Sequence, residues 1–306
     1  SVRSHHPSRA SVMRGRVVLV IGEQKCGTTY LDKLLRQMPE ALACRTKEQH
    51  FFDRLAFLSR CEMEAYLACY PSRTSPEQLM LDVTPDYLAR PWAAPFAARV
   101  LPQAQLVVLV RDPIARALAA WKMQRRLGHE RRSFSTAIRE ELHMLRDCPA
   151  LGQALLDADG ATAWVLAERN YTRTCAVGYC FWGSAIPGKP TTCQLLIYKG
   201  LYALHIQMWL RFFDPKRMLV VQSEKFFQQP ATVLPALQAF LRTKHSFVPS
   251  NKSCLHATAV CGTDVKSGGT NLLQQELKDK LVNFYRASQM KLRDMCGSFL
   301  RCAGVA

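Results

Sequence analysis

The chain has 306 residues, 48% of them hydrophobic, which suffices for one large α/β domain or two small ones around a sizeable core. Its 41 Lys and Arg against 24 Asp and Glu leave a formal charge of +17, which favours polyanionic partners (nucleic acid, an anionic membrane or an acidic polysaccharide) over a merely soluble surface. No run approaches the roughly 18 apolar residues of a membrane-spanning helix. The 12 cysteines do not fall into paired C-x-x-C zinc spacings.

In chain order, residues 1–15 are polar and basic and read as a flexible basic arm, and residues 16–306 read as a single domain. Val17–Ile21 is an apolar, β-branched run, hence a buried strand. A glycine-bounded turn follows, then a helix from about Thr28 to Gln37 that Pro39 ends. A short strand is expected near Leu42–Cys44, a helix and polar connection over 60–80, and a strand in LMLDVTPDYL that stops at Thr84-Pro85. Leu106–Val110 is the clearest element, because an unbroken apolar run of this kind belongs to a strand covered on both faces. It ends in Arg111-Asp112-Pro113, and Ile114–Lys122 continues as helix.

Residues 123–160 are basic and then helical, and 165–195 form a cysteine-rich insertion. GLYALHIQMWLRFF has helical spacing, KRMLVVQSEKF reads as a third strand, 230–242 as a helix and the tail as an amphipathic helix. Strands alternating with helices predict an α/β fold: a P-loop-like parallel sheet flanked by helices, with a cysteine-rich loop insertion. Ligands of such sheets sit at the carboxyl ends of the strands, so the polar clusters after Ile21, Val110 and Val221 mark the expected site.

Cys175, Cys180, Cys193, Cys254 and Cys261 stand in polar, loop-like sequence, as structural disulfides do in an oxidising compartment. Two N-x-[ST] sequons, at Asn170 and Asn251, share those stretches. Together they predict a secretory-pathway protein, Golgi luminal or secreted. The expected arrangement is the luminal domain of a type II membrane protein, with membrane contact only through a segment outside this chain.

The turn after the first strand, GEQKCGTT, has the outline of a phosphate-binding loop, but Lys25 precedes Gly27, whereas an ATP-type loop places its lysine after the second glycine. Such a turn offers backbone N–H groups, two hydroxyls and a helix start to an anion. The later strand ends in arginine, not in a magnesium-binding carboxylate. A site that neutralises phosphate with Lys25 and Arg111 and needs no metal suits a donor other than ATP.

KCGTTYL resembles the 5′-phosphosulfate loop of sulfotransferases that use 3′-phosphoadenosine 5′-phosphosulfate (PAPS), and VVLVRDPIARALAAW resembles their 3′-phosphate strand and helix. KEQHFFD, Lys47–Asp53, is similar to the catalytic-base segment of the heparan sulfate sulfotransferases. GLYALHIQMWLRFF resembles the helix before their fourth strand, and CLHATAVC…KSGG their disulfide-linked cover loop. The resemblance runs collinearly from about Val17 to the C-terminus. It takes in the heparan sulfate 3-O- and N-sulfotransferases and the chondroitin GalNAc 4-sulfate 6-O-sulfotransferase group.

It implies sulfuryl transfer from PAPS to a hydroxyl of an acidic, glycosaminoglycan-like polysaccharide, leaving 3′-phosphoadenosine 5′-phosphate (PAP). Glu48 is the implied base, Lys25 and His50 its catalytic companions. Lys25, Cys26, Gly27, Thr28, Thr29 and Tyr30, with Arg111, Lys266, Ser267, Gly268 and Gly269, are the implied donor contacts. Lys47, Asp82, Asp86, Arg125 and Arg126 are the expected acceptor contacts, and Cys254–Cys261 the implied disulfide. Three positions depart from the family pattern: Ala119 stands for a serine, Val83 for a lysine, and the cover loop lacks its arginine.

Each residue also has a plainer reading. His50 reads more simply as a hydrogen-bonded structural histidine, Arg111 as a partner of Asp112, and Arg125, Arg126, Arg131 and Arg132 as a solvated face. Two other functions compete with the enzyme. A P-loop kinase is opposed by the misplaced lysine. A non-catalytic polyanion-binding protein on a decayed sulfotransferase fold is opposed by the retention of Lys25, Glu48 and Arg111 together. A nucleic-acid binder lacks any recognition motif.

Overall fold

The computed structural model describes residues 15–53, 60–146, 195–248 and 274–305. Cys254, Cys261, Lys266, Ser267, Gly268 and Gly269, both sequons and the insertion up to 194 lie outside the described residues. So does the arm up to residue 14.

Six strands form one parallel sheet in the order β2-β3-β1-β4-β5-β6. They are β1 (Arg16–Gly22), β2 (Ala41–Ala43), β3 (Leu79–Val83), β4 (Gln105–Val110), β5 (Met218–Gln222) and β6 (Arg301–Ala303). Around them lie α1 (Thr28–Leu35), α2 (Arg60–Ala68), α3 (Ala93–Val100), α4 (Pro113–Arg126), α5 (Phe134–Arg146), α6 (Tyr202–Leu210), α7 (Ser223–Gln228), α8 (Pro230–Leu241) and α9 (Gln275–Ser298). The predicted α/β class is therefore the observed one.

Alternation along the strands splits the core in two. Leu19 and Ile21 of β1, with Leu106 and Val108 of β4, face Ala97 of α3, Trp209 of α6 and Leu292 of α9. Val18 and Val20, with Val107 and Leu109, face Leu31 and Leu34 of α1 and Leu237 of α8. Both faces are covered, which is why the central strands read as unbroken apolar runs. No described helix is long and apolar enough to cross a membrane.

The differences from the sequence reading are local. Helix α4 runs four residues past Lys122, to a Leu127 cap followed by left-handed Gly128, whose N–H donates to the Arg125 carbonyl at 3.0 Å. Three-residue β6 has too short a pattern to be read from sequence, and a Cys296–Cys302 disulfide ties it to the end of α9. A second disulfide, Cys44–Cys69, joins the residue after β2 to the residue after α2.

Candidate active site

The site is built where β1, β3, β4 and β5 end. After β1 the chain turns through Glu23–Gly27, with the Glu23 N–H donating to the Leu109 carbonyl of β4 at 2.9 Å. Gly27 caps α1 at φ +93°, in the left-handed region, and no side chain caps that terminus. A Cβ at Gly27 would lie 2.6 Å from the Phe227 ring, so both backbone and packing require glycine. Among the described residues, the N–H groups of Gly27, Thr28 and Thr29 have no hydrogen-bond partner. A helix start left open in this way is an anion cradle.

Three cations converge on it. Lys25 is half-buried at φ +71°, its Nζ 3.7 Å from the Met123 sulfur of α4. Burial, and then the like charges of Arg126 and Arg111, hold its ammonium below the ordinary lysine value. Buried Arg111, at the end of β4, donates from Nη1 to the Lys25 carbonyl at 3.3 Å and so braces the turn. At the start of α7, just after β5, Ser223 donates its hydroxyl to the Cys26 carbonyl at 2.6 Å.

The KEQHFFD segment lies beside this cradle, fastened to the end of the neighbouring strand β3. Asp82 of β3 is wholly buried and accepts hydrogen bonds from Thr84 at 2.6 Å, Tyr87 at 2.9 Å and Tyr66 at 3.0 Å. Because Thr84 and Tyr87 spend their protons on Asp82, their oxygens are free to accept. Thr84 Oγ1 accepts the Gln49 N–H at 2.9 Å, and the Tyr87 oxygen accepts the Phe51 N–H at 3.0 Å. These two bonds flank His50. They hold Glu48 and His50 in left-handed backbone, φ +66° and +51°, where such residues are uncommon.

Glu48 contacts the Lys47 ammonium and stands 3.6 Å from His50 Nε2, while His50 Nδ1 meets Asp53 at 2.6 Å. The hydrogen bond from His50, and then Lys47, outweigh partial burial and hold the Glu48 carboxyl at about 2. Asp53 and then Glu48 raise His50 to about 10. Glu48 is therefore an anion, and His50 a cation between two carboxylates.

A sulfotransferase-domain family model matches residues 16–259. The chain belongs to the sulfotransferase domain family. It is 26% identical over 322 residues to the membrane-associated sulfotransferase kil1 of Dictyostelium discoideum, covering 90% of this chain and 64% of that one. It is also 26% identical over 295 residues to human heparan sulfate glucosamine 3-O-sulfotransferase 3B1, covering 91% and 63%. The chain thus spans a little over three-fifths of the length of these curated relatives. A crystal structure of a sulfotransferase from Alicyclobacillus acidocaldarius shares the fold, with a TM-score of 0.60 and 19% identity over 92% of this chain and 95% of that one.

Within this sulfotransferase domain several expectations need correction. Asp82 has no exposed surface, so it cannot touch an acceptor; it fixes the segment that carries Glu48. Asp86 is bound by Lys199 and by Arg90 at 2.9 Å, and these cations outweigh its burial and hold its carboxyl far below the ordinary value. His50, expected as a companion of Glu48, lies hydrogen-bonded between Asp53 and Glu48, which raise it to about 10. The Cys26 thiol is buried beneath the turn, 3.8 Å from the Tyr202 hydroxyl, and burial pushes it up to about 12. Only its backbone borders the cradle.

Tyr30 packs its ring 5.4 and 5.3 Å from Phe226 and Phe227. Lys47 is engaged with Glu48. Thr29 is exposed at the cradle, whereas Thr28 is buried. Of the arginine cluster, Arg125 and Arg126 are exposed, Arg125 over the Trp121 ring at 5.2 Å, while Arg132 is gripped by Glu130 and Glu140. Ala119 and Val83 are buried and apolar.

The sequence reading missed Glu23, Lys199 and Ser223. Glu23 is wholly buried under the turn; burial pushes it up to about 7, opposed by the charges of Lys199 and Arg116. A carboxylate in the middle of an anion loop was the available signal for it.

Proposed function

We propose that this chain transfers a sulfuryl group from PAPS to a hydroxyl of an acidic, glycosaminoglycan-like polysaccharide. The observation that carries the reading is the meeting, at the ends of adjacent strands, of an uncapped cationic cradle and an ionised carboxylate. Gly27, Thr28 and Thr29 would hold the 5′-phosphate on their open N–H groups, with Lys25 and Arg111 balancing its charge. The turn, held by Arg111 and Ser223, is set before any ligand arrives, as electrostatic preorganisation requires. When bound, PAPS supplies the sulfuryl group, which passes in line to the acceptor oxygen while PAP leaves.

Glu48 takes the proton of the acceptor hydroxyl. Held at about 2 it is a weak base, so acceptor entry has to draw Lys47 or His50 away from it. Lys25 offers its ammonium to the bridging oxygen that gains charge. Arg125 and Arg126, exposed beside the cradle, suit an anionic glycan chain, which accords with the names of the heparan sulfate relatives. The twelve cysteines and the sequons support a Golgi-luminal or secreted setting.

The test is transfer from labelled PAPS to a panel of heparan- and chondroitin-type chains, wild type against Glu48→Gln. The variant is expected to lose about 10²–10⁴-fold in kcat, the usual worth of a general base, with PAP affinity intact. Transfer by Glu48→Gln at the wild-type rate contradicts this role.

A further inference from the structure

At the opposite end of the sheet, where β1, β4, β5 and β6 begin, the surface opens into a pocket of about 730 Å³. Its walls carry five cations, Arg16, Lys216, Arg217, Arg242 and Arg301, and a single carboxylate, Asp214. None of the five forms an ion pair among the described residues.

The arginines that are held in place are held by neutral groups. Arg16 donates to the Glu77 carbonyl at 3.0 Å and to the Leu241 carbonyl, and Arg217 donates to the Gln103 carbonyl at 2.7 Å. Asp214 accepts the Lys216 N–H at 2.7 Å as the cap of a short turn. Lys216, Arg242 and Arg301 are exposed. Five cations thus stand against Asp214 in the lining and the Glu77 carboxylate near Arg16, a positive excess that is costly for a fold unless an anion offsets it.

The apolar members of the lining, Val17 and Phe240, are buried. A recess of this kind admits a narrow polymer with repeated anions better than it admits a flat bilayer. We propose that this pocket binds a stretch of sulfated glycan, as a second anion site remote from the cradle. The choice of occupant rests on the polysaccharide function proposed above; the pocket and its charge do not.

The strands between the two ends have up to seven residues, so the sites lie about 20 Å apart at roughly 3.3 Å per residue. A long chain that wraps the side of the sheet reaches both, and a short oligosaccharide reaches one. Occupying both at once raises the local concentration of acceptor at the cradle without a new contact there.

The experiment compares wild type, Lys216→Ser/Arg301→Ser and the charge-keeping Lys216→Arg/Arg301→Lys. Each is titrated calorimetrically with a heparin dodecasaccharide in the presence of saturating PAP, over a salt series. The serine pair is expected to bind about tenfold more weakly, with a salt slope smaller by about two ions. The charge-keeping pair is expected to bind as wild type does. With long acceptors the serine pair should raise KM and leave kcat, and with a tetrasaccharide it should change neither.

Unchanged dodecasaccharide affinity in the serine pair overturns the proposal. So does loss of affinity for tripolyphosphate or anionic vesicles alone, which would assign the pocket to another anion. If no variant or wild type transfers sulfate yet glycan binding still falls in the serine pair, the enzymatic reading fails and the pocket stands.

Discussion

At Gly27 the backbone turns with φ +93° against the ring of Phe227, and the next two N–H groups stand open at the start of α1. Gly27→Ala forces a Cβ into that ring and into left-handed backbone, at a cost of about 1–3 kcal/mol. The expected result is a lower melting temperature and at least tenfold weaker PAP binding, read by calorimetry. An alanine variant that binds PAP normally would remove Gly27 from the cradle.

Glu23 gives a prediction whose sign can be worked out. Its carboxyl titrates near 4.5 when exposed and near 7 in the fold, where burial outweighs Lys199 and Arg116. Between those values the fold holds the proton and the unfolded chain does not, so stability falls as pH rises from about 4.5 to about 7. Glu23→Gln removes the titration. The variant should melt like wild type below pH 4.5 and gain on it steadily toward pH 7. A melting difference that stays constant across that range contradicts the assignment.

At the scale of elements, β3 holds the proposed catalytic segment through Asp82. Asp82→Asn keeps one acceptor oxygen and turns the other into an amide that must itself donate, so either Thr84 (on Oδ1) or Tyr87 (on Oδ2) no longer presents a free oxygen to Gln49 or Phe51. Lost hydrogen bonds to a charged group cost about 1.5–3 kcal/mol. The variant is expected to lose stability and kcat while PAP affinity holds, because the cradle hangs on β1, β4 and β5. Equal loss of donor binding and turnover would show that the two parts are not separately held.

The same element shows where sequence reading stops. LMLDVTPDYL announces a strand ending in polar residues, and polar residues at a strand end suggest ligand contact. Only the packing of Tyr66 and Tyr87 shows that Asp82 faces inward. Likewise HFFD is visible as a segment, but the pairing of Glu48 with Lys47 and of His50 with Asp53 depends on how the segment folds back on itself. The unbroken apolar runs made β1, β4 and β5 legible, whereas β6 has too few residues to carry a pattern.

For the whole molecule, two groups of cations stand at opposite ends of one parallel sheet. Lys25, Arg111 and Arg126 gather over the carboxyl ends, Arg16, Arg217 and Arg301 over the amino ends. The central claim concerns the first of these: that the turn holding Lys25 ahead of Gly27 is a PAPS site rather than an ATP site. Calorimetric titration of the wild-type chain and Lys25→Ala with PAP, ATP and AMP tests it most directly. Selective binding of PAP by wild type, weakened by at least tenfold in Lys25→Ala, is the predicted result. Preference for ATP, or no PAP binding at all, would contradict the account.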